Sequence, residues 1–299
     1  MNDEYKNLEI YKYFKESELH SSKGNTFFPI YEELFSKYRG KKITFVEIGV
    51  KWGGSLFMWK KYFGPAARII GIDFDPNTKK LEQYGFEIFI GDQSSEKFWN
   101  DFFLKVGNID ILLDDGGHTN ENQILTINNA INKINDDGLI IIEDSLSSYN
   151  KKFFNPSKYS FMNYSKFLID DINSRVKKIH KYTGLNKINT LKDKIYSIKF
   201  FTNFVVFFID RSKCLDLKHE MNRDLSINDS KIIRENYSNP RWNSEEYKSY
   251  ITDFMQRVKN KVPFFSKIFG VLKLDKVLKR YIKYLLIMKI NKKLKKFFK

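Results

Sequence analysis

Thr44-Phe-Val-Glu47-Ile-Gly49-Val-Lys-Trp-Gly53-Gly54-Ser55 reads as a buried strand that runs into a glycine-rich turn and then a helix. The strand half belongs to the run Ile43–Val50, which is apolar on both alternations apart from Glu47, as expected of a strand covered on two faces. The helix half continues through Leu56–Phe63 at helical spacing. Four similar runs follow, Arg68–Ile72, Phe86–Ile90, Ile109–Leu113 and Leu139–Ile142, separated by longer amphipathic stretches. Strands alternating with helices predict a doubly wound α/β sheet with parallel strands. Phe161–Arg175 reads as another helix. Ile195–Phe201 and Phe204–Ile209 are β-rich runs split only by Thr202-Asn203, which predicts a closing antiparallel hairpin and a seven-stranded sheet. Upstream, Leu8, Tyr11 and Phe14 recur at helical spacing, and Pro29–Tyr38 suggests a second helix.

Composition fits this reading. Of 299 residues, 42% are apolar, and 28 Phe with 17 Tyr supply bulky core material. One cysteine, Cys214, allows no internal disulfide and gives no sign of an oxidising compartment. Met1-Asn-Asp-Glu-Tyr-Lys lacks the basic-then-apolar run of a secretory signal, and no apolar stretch reaches the roughly 20 residues that span a bilayer. A cytoplasmic protein is expected. The net charge of +16 is concentrated in residues 256–299, where 15 Lys/Arg face the single acid Asp275, leaving the other 255 residues near neutral.

Each parallel strand carries a carboxylate at or near its C-terminal end. Strand one holds Glu47, strand two ends in Gly71-Ile-Asp73-Phe-Asp75, and strand three in Gly91-Asp92-Gln93. Strand four ends in Asp114-Asp115-Gly-Gly-His118, and strand five in Glu143-Asp144-Ser145. In open α/β sheets these ends line one edge, where ligands bind at the switch in strand order. So many acids would repel one another unless cations joined them; a sulfonium, a metal, or both are expected. Gly49, Gly54 and Ser55 border the turn in which backbone can approach a ligand closely, although it is not the G-x-G-x-x-G dinucleotide fingerprint. Asp73, about 20 residues further on, is placed for ribose hydroxyls, whichever adenosine ligand binds. Asp92 and Gln93 are candidates for the adenine amino group, and Asp114 for the same cofactor pocket. Asp115, Glu143 and Asp144 offer hard oxygen ligands, which suit Mg²⁺ or a similar ion rather than structural zinc. His118 is the candidate for taking a proton from a hydroxyl, a task that suits an imidazole because histidine ordinarily titrates at about 6.5.

A parallel sheet closed by an antiparallel hairpin is the usual outline of the Rossmann-like class I fold of S-adenosylmethionine (SAM)-dependent methyltransferases. The spaced motifs Val46-Glu-Ile-Gly-Val, Gly53-Gly-Ser-Leu-Phe-Met-Trp59, Gly71-Ile-Asp-Phe-Asp-Pro76, Gly91-Asp-Gln93, Asp114-Asp-Gly-Gly-His118 and Ile142-Glu-Asp144 resemble the macrolide-sugar O-methyltransferases, such as the mycinamicin and macrocin enzymes. The resemblance spans roughly Ser22 to Arg211. It implies SAM and Mg²⁺ as cofactors and a sugar hydroxyl as acceptor, with Asp115, Glu143 and Asp144 as metal ligands and His118 as general base. Lys23-Gly24 resembles the family's substrate-side segment, although Asn25-Thr26-Phe27-Phe28 follows where a histidine is often found. Tyr149, with the loop 150–155, is a candidate cover for the acceptor.

Four segments result: an N-terminal helical, substrate-side segment (1–40), a methyltransferase core (41–211), a loop and short-helix extension (212–255), and a basic tail (256–299). In the tail, Leu274, Val277, Leu278, Tyr281, Ile282, Leu285 and Leu286 form one helical stripe beside Lys276, Lys279, Arg280 and Lys283. Such a helix suits an anionic membrane surface. Packing on the protein's own body or on a second subunit, and contact with nucleic acid, are the other readings. A nucleic-acid methyltransferase is disfavoured because strand four carries Asp-Asp-Gly-Gly-His and not the Asn/Asp-Pro-Pro-Tyr/Phe motif of base amino-group methylation. A nonenzymatic membrane scaffold on a relic fold is disfavoured by the complete set of acids and His118.

Overall fold

The computed structural model describes residues 3–153, 155, 159–176 and 191–218. The expected basic tail 256–299 and the extension from residue 219 to 255 lie outside them. Met1–Lys218 forms one compact unit. In it, α1 (Glu9–Lys15) and α2 (Phe27–Phe35) precede β1 (Thr44–Ile48), α3 (Gly54–Phe63), β2 (Arg68–Asp73), β3 (Glu87–Ile90), α4 (Glu96–Val106), β4 (Ile109–Asp114), α5 (Asn120–Ala130), β5 (Ile134–Glu143), α6 (Phe161–Asn173), β6 (Ile195–Phe201) and β7 (Phe204–Ile209). A nine-residue 3₁₀ segment, Pro76–Tyr84, stands where a helix between β2 and β3 is expected.

The seven strands lie in the order β3-β2-β1-β4-β5-β7-β6. β1 to β5 are parallel, whereas β7 runs antiparallel to both β5 and β6. The expected mixed seven-stranded sheet with its terminal hairpin is therefore present. Both faces are covered, so the strands read as unbroken apolar runs. Phe45, Ile111, Leu113, Leu139, Ile141, Phe204 and Val206 pack on the side of α1, α2 and α3. Their sequence neighbours Val46, Leu112, Ile140, Ile142, Val205 and Phe207 pack against α4, α5 and α6. On the first face, Tyr31, Phe35, Phe45 and Trp59 form edge-to-face and tilted ring pairs with centroids 5.0–5.9 Å apart. Side-chain caps start the helices of the other face: Ser95 for α4, Thr119 for α5 and Ser160 for α6 each accept a hydrogen bond from a first-turn N–H.

β5 begins five residues earlier than its apolar run suggests. Ile134 pairs with Ile109, a register shift follows, and pairing resumes at Leu139 with Ile111. The intervening Asp136 and Asp137 are exposed and Asp137 has φ +63°, so this stretch has the composition of a turn while lying within a strand.

Candidate active site

The strand order reverses between β1 and β4, and their C-terminal exits meet. Gly49 N–H donates to Ile72 O and Asp115 N–H to Ile48 O. At Gly49 (φ +88°) a Cβ would lie 2.2 Å from the Asp115 carbonyl oxygen, so only glycine permits this approach. Outside these exits opens a crevice of about 1450 Å³, large enough for a nucleoside and a second substrate. Gly49, Ser55, Asp73, Asp92, Gln93, Asp115, His118 and Asp144 all line it.

The candidate cofactor residues divide into two groups. Asp73 faces the crevice, with Oδ2 accepting from Lys51 N–H (2.8 Å) and Oδ1 from Asp75 N–H (2.9 Å). Each oxygen keeps a lone pair for a further donor. Asp92 lies at the rim, where Oδ1 accepts from Ser94 N–H. Gln93 is turned inward: Nε2 donates to both oxygens of Asp114 and to Thr126 Oγ1, and Oε1 accepts from Gly117 N–H. Buried and bonded in this way, Gln93 and Asp114 fix the chain after β4, with the donors of Gln93 Nε2 engaged by Asp114 and Thr126. Burial raises the Asp114 pKa, opposed by its hydrogen bonds from Gln93. Glu47 lies beneath the crevice, fully buried, and its Oε2 accepts from Ser55 Oγ at 2.7 Å. Gly54 has a different task. The N-terminal segment crosses the start of α3 there, and a Cβ would lie 2.3 Å from Leu19 O and 2.5 Å from His20 O.

Asp115, His118 and Asp144 each bring a ligand atom within 4.8 Å of the others. His118 Nε2 is 3.5 Å from Asp144 Oδ2. Lys51, His118 and Asp144 all hold positive φ (48°, 56° and 58°) around this crevice, backbone strain of the kind that accumulates at functional sites.

Glu143 does not join that group. It is buried behind it, where Tyr31 Oη donates to Oε2 (2.6 Å) and Lys23 Nζ to Oε1 (3.2 Å). The same ammonium donates to Asp115 Oδ2 at 2.5 Å and lies 3.8 Å from Glu47 Oε1. Lys23 is thus placed among carboxylates at the wall of the crevice, with its side chain 2% exposed. Burial alone would lower its pKa, but Glu143, Tyr31, Asp115 and Glu47 together raise it well above the ordinary value. Burial raises the Glu143 pKa, with the Lys23 charge opposing. Tyr149 is 57% exposed and lies off the walls of the crevice. Tyr31 was not singled out in the sequence, where it reads as helical core filler.

No family model matches the chain. Among curated proteins it is 32% identical over 132 residues to 8-demethyl-8-alpha-L-rhamnosyl tetracenomycin-C 2'-O-methyltransferase of Streptomyces olivaceus, covering 42% of this chain and 34% of that protein. It is likewise 32% identical over 130 residues to mycinamicin VI 2''-O-methyltransferase of Micromonospora griseorubida, covering 41% of this chain and 32% of that protein. Its curated relatives are sugar O-methyltransferases. The matched stretch spans only about a third of their length. Among solved structures, MycE methyltransferase from the mycinamycin pathway in complex with Mg and SAH superposes with a TM-score of 0.61 at 22% identity, over 79% of this chain and 59% of that one. The fold is the Rossmann-like fold of class I methyltransferases.

Proposed function

We propose that this chain transfers the methyl group of SAM to a hydroxyl of a sugar, in a glycan or a glycosylated metabolite, with help from a divalent cation such as Mg²⁺. The observation that carries the proposal is the convergence of Asp115, His118 and Asp144 in a crevice that also presents Asp73 and the Gly49 turn. The relatives support the acceptor class, since both are named as O-methyltransferases and the tetracenomycin enzyme is named for a rhamnosyl compound.

The residues present fit both guests. Asp73, held by two backbone N–H groups, would accept hydrogen bonds from ribose hydroxyls, and Asp92 would bound the adenine side. Asp115 and Asp144 would hold the ion, and Glu143 would complete the set by exchanging its Lys23 contact for it. Carboxylates with at most one imidazole suit Mg²⁺ or a similar ion. A bound ion would lower the pKa of the acceptor hydroxyl. His118 would take the hydroxyl proton as oxygen bonds to the methyl carbon and the carbon–sulfur bond breaks, leaving S-adenosylhomocysteine and a protonated imidazole. Tyr149 would meet the part of the acceptor that extends beyond the crevice. The basic tail would hold the protein at an anionic membrane surface on the cytoplasmic side.

The test is transfer of labelled methyl from SAM to rhamnosylated and macrolide glycosides, with and without EDTA. Transfer that EDTA abolishes and Mg²⁺ restores is expected. A protein that binds SAM but labels no glycoside would overturn the reading. His118→Ala should lower turnover by about 10²–10⁴-fold with Mn²⁺ affinity unchanged. If Mn²⁺ affinity falls with it, His118 is a ligand and not the base.

A further inference from the structure

Asp144 is 41% exposed at its side chain, so its carboxylate has room to rotate unless another group restrains it. Restraint comes from the tip of the closing hairpin. Asn203, the second residue of the Thr202-Asn203 turn between β6 and β7, makes three hydrogen bonds to the chain leaving β5. Its Nδ2 donates to Asp144 Oδ1 at 2.5 Å. Its Oδ1 accepts from Leu146 N–H at 3.0 Å, and its backbone oxygen accepts from Ser145 N–H at 3.1 Å. With Oδ1 of Asp144 held by the amide, Oδ2 is the oxygen that faces His118.

A carboxamide is well matched to this position. It donates to a carboxylate while accepting from an N–H, and asparagine tolerates the φ of +70° that the turn requires. Glycine would serve the turn equally well, so the backbone alone does not account for the side-chain contacts. We propose that Asn203 is a positioning residue that aims the Asp144 carboxylate at a divalent cation shared with Asp115. This rests on the metal-binding reading above.

Asn203→Gly separates the two roles, because it keeps a turn residue suited to positive φ and removes both side-chain hydrogen bonds. In the full-length protein, Mn²⁺ binding is followed by electron paramagnetic resonance, S-adenosylhomocysteine binding by calorimetry, and stability by urea unfolding. Expected is a rise in the Mn²⁺ Kd of about tenfold or more, with the S-adenosylhomocysteine Kd and the urea midpoint close to wild type. A Mn²⁺ Kd within twofold of wild type would overturn the inference alone. Parallel losses of Mn²⁺ affinity, S-adenosylhomocysteine affinity and stability would also overturn it, since they indicate general loosening of the hairpin. A wild-type protein that takes up no Mn²⁺ would overturn both this inference and the reading beneath it.

Discussion

At the scale of single residues, Glu47 bears a measurable cost of its position. Burial lifts its carboxyl from the ordinary 4.5 to about 7, against the opposing influence of Lys23 and the Ser55 hydrogen bond. Between those values the folded chain keeps a proton that the unfolded chain has released, so stability falls as pH rises through the window. The loss is absent below about pH 4.5 and complete above about 7, where it amounts to something on the order of 3 kcal/mol. Glu47→Gln keeps the size and the Ser55 contact without the charge. Urea unfolding in EDTA should show the variant more stable than wild type at pH 8 by up to that amount, with the two converging near pH 4.5. Equal differences at both pH values would show that the buried charge is not the cause. Glu47 was legible in the sequence as an acid at a strand end; its depth was not, because exposure depends on what covers the strand. Gln93 shows the same limit, since its position after β3 was readable and its inward turn toward Asp114 was not.

At the scale of elements, strands with a continuous apolar run were placed to within a few residues, and the hairpin was placed at its observed bounds. The signal there is local periodicity, which needs no knowledge of partners. β5 was shortened because Asp136-Asp137-Gly138 has turn composition, and only pairing with β4 reveals it as strand. Gly54 illustrates the same contrast in energetic terms. In a helix, alanine in place of glycine is ordinarily worth about 0.5–1 kcal/mol of added stability. Here the new methyl would meet the Leu19 and His20 carbonyls at 2.3 and 2.5 Å, and backbone cannot yield as a flexible side chain does. Gly54→Ala should therefore destabilise by about 1–3 kcal/mol, read by thermal or urea unfolding, and should speed proteolysis within residues 9–23. A stabilised variant would show that the crossing is looser than described.

For the whole molecule, charge is distributed by region: a nearly neutral body and a strongly basic tail. That division was legible directly from composition, whereas the tail's partner was not, because a lysine-rich amphipathic stripe satisfies lipid, protein or phosphate alike. Deleting 256–299 should release the protein from vesicles rich in anionic lipid while leaving methyl transfer to a soluble glycoside intact. Retention of the truncated protein on the vesicles would place the attachment elsewhere. Among the described residues no helix is long and apolar enough to cross a membrane.

Lys23 and Glu143 stand 120 positions apart, and this spacing bears on how the protein assembles during synthesis. A ribosome delivers the lysine long before Asp115 and Glu143. Residues 17–23 can therefore rest on the start of α3, where Ser17 Oγ donates to Gly54 O, before the ion pairs to those two acids can form. The charge contacts of the leading segment consequently close after its backbone contacts, and a version trimmed of its first 25 residues would leave the buried carboxylates Glu47 and Glu143 without their neutralising partner.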